Sequence, residues 1–146
     1  MAGATIAVAS DHAGFDLKEV LKRDLQEAGY TVLDLGTHST ASVDYPDFGR
    51  ALAEAVASGK AEKGVAVCGT GIGISIAVNR NPRVRAALVH DETSARLTRQ
   101  HNDANVIAFG QRLIGPEVAR EALKVFLNTA FEGGRHVGRV AKLSRE

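Results

Sequence analysis

Short apolar runs rich in Val, Ile and Ala recur along this 146-residue chain, each followed by a longer stretch of helical period. The runs are "TIAVAS" (5–10), "TVLDLG" (31–36), "GVAVCG" (64–69), "VRAALVH" (84–90) and "NVIAFG" (105–110). Apolar runs this short, bounded by Gly or polar turns, mark strands buried on both faces. Between them, Leu17, Val20, Leu21, Leu25 and Ala28 outline a helix stopped by Gly29. Phe48, Leu52, Ala55 and Val56 outline a second, stopped near Gly59. A short third helix starts inside a glycine stretch, and a fourth covers about 91–101. Pro116 opens a fifth behind Gly115, with Ala119, Ala122, Leu123, Phe126 and Leu127 as its buried stripe. A last helical segment is expected from about 131, at "EGGRH", to the end. Strands alternating with helices predict an α/β fold: a Rossmann-like, doubly wound, five-stranded parallel sheet with helices on both faces and a C-terminal helix. No linker or repeat interrupts it, so residues 1–146 are expected to form one domain.

In such folds ligands gather beyond the carboxyl ends of the strands. Here those ends read "SDHAG", "LGTHS", "CGTGIG", "HDE" and "FGQR", where polar and glycine residues concentrate. The third is the most pointed, because the chain's single cysteine, Cys68, closes a strand directly before Gly69, Gly71 and Gly73. Backbone N–H groups in such a loop can face an anion, and glycines let it come close. Thiols beside helix N-termini ionise readily and serve as base or nucleophile. A base beside an anion hole suits chemistry that creates an oxyanion, an enediolate included. A buried cysteine followed by a tight turn fits the composition about as well. A dinucleotide loop is a rival, with Asp91 lying 20 residues beyond Gly71, but Ile74 stands where its fingerprint wants Gly or Ala.

Other residues at these ends carry two readings each. Asp11 and His12 can meet a ligand, or Ser10 or Asp11 can cap a helix. His101 and Asn102, in "RQHND", end the fourth helix, where a histidine can move a proton or simply face the helix dipole. Arg135 and Arg139 share a helix face beside His136, an arrangement suited to phosphate or to plain solvation. Arg112 follows the fifth strand.

Composition narrows the field. The net charge is +1 and aromatics make up 5%, which argues against a nucleic-acid surface. Residues 64–146 nevertheless carry 12 of the 18 basic side chains, ten of them Arg, which favours a small anionic ligand. One cysteine excludes an internal disulfide, and no run approaches bilayer length, so a cytoplasmic protein without membrane association is expected. The five His, at 12, 38, 90, 101 and 136, show no metal-binding spacing, and no G-x-S-x-G is present.

The segments "SDHAGFDLK", "DLGTHS", "DYPDF", "CGTGIGISIAVNR", "ARLTRQHNDANVIAFGQR" and "FEGGRH" resemble the type B ribose-5-phosphate isomerases, a family that includes galactose-6-phosphate isomerase. The resemblance runs from residue 10 to 136. It implies an aldose–ketose isomerase that interconverts ribose 5-phosphate and ribulose 5-phosphate without metal or organic cofactor. By the same resemblance, Cys68 is the base working between C2 and C1, and His101 opens the sugar ring. Gly69, Thr70, Gly71, Ile72 and Gly73 hold the enediolate oxygens, with the Thr70 hydroxyl assisting. Asp11, His12 and Asn102 contact substrate, and Arg112, Arg135 and Arg139 hold phosphate. Some relatives use a Glu inside the glycine loop instead of the Cys; here Ile72, Ile74 and Ser75 offer no carboxylate. The family forms homodimers, sometimes tetramers, with shared sites, so His101 and some arginines would serve a neighbour's Cys68. An isomerase of allose or galactose 6-phosphate, or a non-catalytic sugar-phosphate-binding module, are the alternatives.

Overall fold

The computed structural model describes residues 3–144. Five strands form one parallel sheet: β1 (Thr5–Ser10), β2 (Thr31–Asp34), β3 (Lys63–Cys68), β4 (Ala86–Leu88) and β5 (Val106–Gly110), in the order β2-β1-β3-β5-β4. The helices are α1 (Phe15–Glu27), α2 (Tyr45–Ala57), α3 (Ile72–Val78), α4 (Glu92–Asn102), α5 (Pro116–Leu127) and α6 (His136–Leu143). Chain direction across the sheet reverses between β1 and β3, and the crevice outside their carboxyl ends is where such folds bind ligands. No described helix is long and apolar enough to cross a membrane.

The two faces of the sheet differ in side-chain size. Ile6, Val8, Val65, Val67, Ile107 and Phe109 point to one face, where they pack with Leu17, Leu21 and Leu25 of α1 and Ala122, Leu123 and Phe126 of α5. The intervening residues, Ala7, Ala9, Ala66, Cys68 and Ala108, point to the other, against Leu52, Ala53 and Val56 of α2 and Ile74 and Val78 of α3. This is the period-two alternation of a strand. Small side chains on the second face let α2 and α3 settle close to the strands. Cys68 is therefore presented on the face that α3 covers.

At the sheet edge beside α1, Lys18 is fully buried. Its Nζ donates to both oxygens of Asp34 at 2.8 and 2.9 Å and to Glu19 at 3.1 Å, and it lies 5.4 Å from the centre of the Phe15 ring. Asp34 also accepts from Lys22 and from the Gly36 N–H. Burial pushes the Asp34 carboxyl up, but the bonds from Lys18, Lys22 and Gly36 outweigh it and hold it below its ordinary value.

Three boundaries differ from the sequence reading. β2 ends at Asp34, whose side chain bonds the Gly36 N–H and turns the chain out of the sheet. β4 keeps only three residues. It lies at the sheet edge, where the Asn79 side chain accepts from the Ala86 N–H and donates to its carbonyl. α6 begins at His136, not near 131, because Gly133 and Gly134 both sit at positive φ, +72 and +57, outside the helical range.

Candidate active site

The residues proposed from sequence fall into two groups. The first surrounds the carboxyl ends of β1 and β3. Cys68 is 4% exposed, and its Sγ accepts a hydrogen bond from the Gly71 N–H at 3.2 Å. The Ile72 N–H is taken by the Thr70 hydroxyl at 3.2 Å, while the N–H groups of Gly73 and Ile74 have no partner among the described residues. The loop thus turns one donor onto the sulfur and leaves two at the mouth of α3. Donors held in this way stabilise charge that appears beside the sulfur.

The turn needs its glycines. Gly71 has φ +76, and a Cβ there would lie 2.6 Å from Leu88 Cδ1 and 2.7 Å from the Phe109 carbonyl carbon. Gly71→Ala is accordingly expected to displace the loop and lower kcat by at least tenfold, alongside a stability loss of about 1–3 kcal/mol. Steady-state kinetics beside thermal unfolding checks both.

Around the thiol, Asp11 Oδ1 accepts from the Ala13 and Gly14 N–H groups and braces the turn before α1, whose N-cap is Gly14 and not Ser10 or Asp11. His12 Nδ1 accepts from the Val43 N–H at 3.1 Å, which leaves the proton of the neutral ring on Nε2. Arg112 is exposed, and its backbone N–H bonds the Gly69 carbonyl at 2.9 Å. Its Nη1 lies 3.2 Å from where a Gly69 Cβ would stand, which puts a guanidinium with no ion-pair partner among the described residues beside the loop.

The sequence reading passed over Tyr45. It opens α2 at 41% exposed, and its ring lies 2.6 Å from the point a Gly73 Cβ would occupy, so a side chain at position 73 would displace the ring. The signal was present in "DYPDF", where Pro46 marks the first turn of a helix. Asp91, the carboxylate a dinucleotide site would need, instead caps α4 by accepting from the Ser94 N–H at 2.7 Å.

The second group lies at the opposite end of the sheet, where the strands begin. α4 starts beyond the carboxyl end of β4 and runs back about 16 Å to Asn102. The chain then enters β5 at Val106, which pairs with Gly64 at the amino end of β3, whereas Cys68 pairs with Gly110 at the carboxyl end. His101 and Asn102 are therefore a strand's length from the Cys68 of their own chain. Buried Arg99 fixes this end of α4 through bonds to Asp103, the Ala104 carbonyl and the Thr129 carbonyl. The Glu132 N–H bonds the Gln100 carbonyl, which brings the start of α6 against His101.

There the His101 and His136 rings stack, with centroids 4.6 Å apart and planes at 17°. His136 is 5% exposed. Burial first, then the charges of Arg135 and His101, hold its imidazole below its ordinary pKa, against the pull of Glu132. Arg135 and Arg139 are exposed, and neither has an ion-pair partner among the described residues.

Residues 6–143 match the ribose/galactose isomerase family. Ribose-5-phosphate isomerase B of Escherichia coli is 45% identical over 139 residues, covering 95% of this chain and 93% of that protein. The D-erythrulose-4-phosphate isomerase of Pectobacterium atrosepticum is 42% identical over 140 residues, covering 95% and 92%. The structure of ribose-5-phosphate isomerase B from Clostridium thermocellum superimposes with a TM-score of 0.95 at 47% identity, covering 96% of this chain and 95% of that one.

Proposed function

The chain belongs to the ribose/galactose isomerase family, and from that premise we propose that it interconverts D-ribose 5-phosphate and D-ribulose 5-phosphate. The observation that carries the reading is the Gly71 N–H set on the Cys68 sulfur, with the N–H groups of Gly73 and Ile74 unpartnered beside it. That pairing supplies a base and a hold for the charge the base creates.

In the proposed sequence His101 takes the proton from the O1 hydroxyl of the furanose, and the ring oxygen gains one as the C1–O4 bond breaks. The Cys68 thiolate then removes the C2 proton, and the electron pair moves through C1 to O1 to give the enediolate. Loop N–H groups and the Thr70 hydroxyl hold its oxygens. Return of the proton to C1, with transfer of the O2 proton to O1, completes the ketose. Arg112, Arg135 and Arg139 hold the phosphate, and Asp11, His12 and Asn102 the hydroxyls.

One chain does not assemble this set, since His101, with Arg135 and Arg139 beside it, lies at the other end of the sheet from Cys68. A homodimer in which each copy lends this end to the other's thiol reconciles the two groups. A mixture of Cys68→Ala and His101→Ala chains, each inactive alone, is then expected to regain roughly a quarter of native turnover after subunit exchange, because each mixed dimer keeps one intact site. Failure to regain any, with exchange verified, removes the shared site.

The reading is tested by ketose formation from D-ribose 5-phosphate in the presence of chelator. D-allose 6-phosphate, D-galactose 6-phosphate and D-erythrulose 4-phosphate are assayed alongside, the last scored by loss of the ketose. Highest kcat/KM on the pentose supports it. Preference for another sugar phosphate moves the substrate, and turnover of none of them overturns the isomerase reading.

A further inference from the structure

We propose that His101, Glu132 and His136 form a reversible binding site for a divalent transition-metal ion of the zinc or cobalt type. These residues stand 31 and four positions apart in sequence, so no motif announces them. The fold brings one donor atom from each to within 4.8 Å of the others. A separate observation points the same way. His136 Nε2 is buried and has no hydrogen-bond partner among the described residues, and the Glu132 carboxylate lies 3.5 Å away as an ion-pair contact only. A buried ring nitrogen that makes no bond is unusual, because burying an unsatisfied polar atom costs free energy.

Two imidazoles and one carboxylate are a donor set for borderline divalent ions, at distances of about 2.0–2.2 Å, with a fourth position left to water. Donors around such an ion lie roughly 3.4 Å apart, so the three groups must draw together. The means are at hand: Glu132 is exposed, and His101 is half-buried in the last turn of α4. Each ring must also hold the ion in its own plane, which two nearly parallel rings do not allow. Capture therefore swings the His101 ring out of the stack and leaves buried His136 in place.

Arg135 and Arg139 oppose a cation here, and Glu132 contributes the one negative charge, so occupancy is reversible. The ion is an inhibitor and not a cofactor: it occupies the imidazole to which ring opening is assigned. That consequence rests on the role proposed for His101, whereas the site itself does not.

Cobalt(II) titration of the full-length chain separates the two. Carried out on Cys68→Ala, to exclude thiolate ligation, it is expected to give a saturable visible absorption band at one ion per chain. Glu132→Gln, in the same background, is expected to weaken binding at least tenfold, and His136→Ala to abolish it. With Cys68 intact, Glu132→Gln should keep native turnover yet resist inhibition by zinc, which chelator reverses. Absence of a saturable band overturns the site. So does an unchanged cobalt affinity in Glu132→Gln, an exposed conservative change that does not threaten folding. A band that responds to both substitutions without any inhibition upholds the site and overturns the role of His101.

Discussion

Cys68→Ala is expected to slow ketose formation by roughly 10²- to 10⁴-fold, the span general-base catalysis contributes, with the fold intact. Alanine suits the position, because Cys68 already lies on the sheet face built from Ala7, Ala9, Ala66 and Ala108. What disappears is the sulfur and the acceptor for the Gly71 N–H. Cys68→Ser separates those two losses. Its hydroxyl accepts the same hydrogen bond but does not ionise in the working range, so it should be nearly as slow as the alanine variant. Comparison of kcat for the three proteins decides the matter. Serine working at close to the native rate would make the thiol a brace for the loop, with the base elsewhere.

Asp34→Ala carries the largest expected effect on stability, a loss of about 3–5 kcal/mol, because it strands the fully buried Lys18 ammonium. Glu19 remains at 3.1 Å but is partly exposed and replaces only one of the three bonds between Lys18 and its two carboxylate partners. A fall in melting temperature of about 10 °C would accompany it. The double change Lys18→Met with Asp34→Leu should recover most of the loss, since two apolar groups of similar size leave no charge buried. If the double variant is as unstable as the single one, packing and not charge is responsible.

The pair also sets an acid limit. The Asp34 carboxyl is held below its ordinary pKa in the folded chain, so its stabilisation is complete above the unfolded value, about 4. It is lost as pH falls through the lower, folded value. The gap in stability between native protein and Asp34→Ala should therefore be widest near neutrality and narrow below about pH 4. Denaturant unfolding across that range measures it.

Much of this architecture is legible in the sequence, and the reasons are local. Runs such as "IAVAS" and "GVAVC" are too short for helices and too apolar for surface, and the glycines after Cys68 allow little else than a tight turn. Where the reading slipped, a side-chain bond or a backbone angle that the apolar pattern does not state decides. The Asn79 side chain pairs with Ala86 at the start of β4, and α6 is delayed by two glycines whose φ the sequence does not state. Gln111, whose Oε1 accepts the Leu17 N–H of α1 from 94 residues away, has no signature at all. The candidate site divides in the same manner. Cys68 and Thr70 share one loop and can be read together, whereas the meeting of Arg112 with that loop and the place of His101 at the amino end of the sheet follow only from the folded strand order. Tyr45 carries no signal of its own in the sequence, and its place over Gly73 follows from the packing of α2 on the loop.

The unequal faces of the sheet divide the molecule for anyone who would redesign it. On the side of Ile6, Val65, Ile107 and Phe109, side chains are large enough to be exchanged for others of similar volume, and the helices they meet, α1 and α5, do not hold the glycine loop. On the alanine side, one added methyl group at Ala66 or Ala108 presses on helices whose first turns hold Tyr45 and the loop amides. A library built to raise heat resistance belongs in the first layer. One built to retune substrate size belongs in the second, where changes smaller than a side chain reach the chemistry.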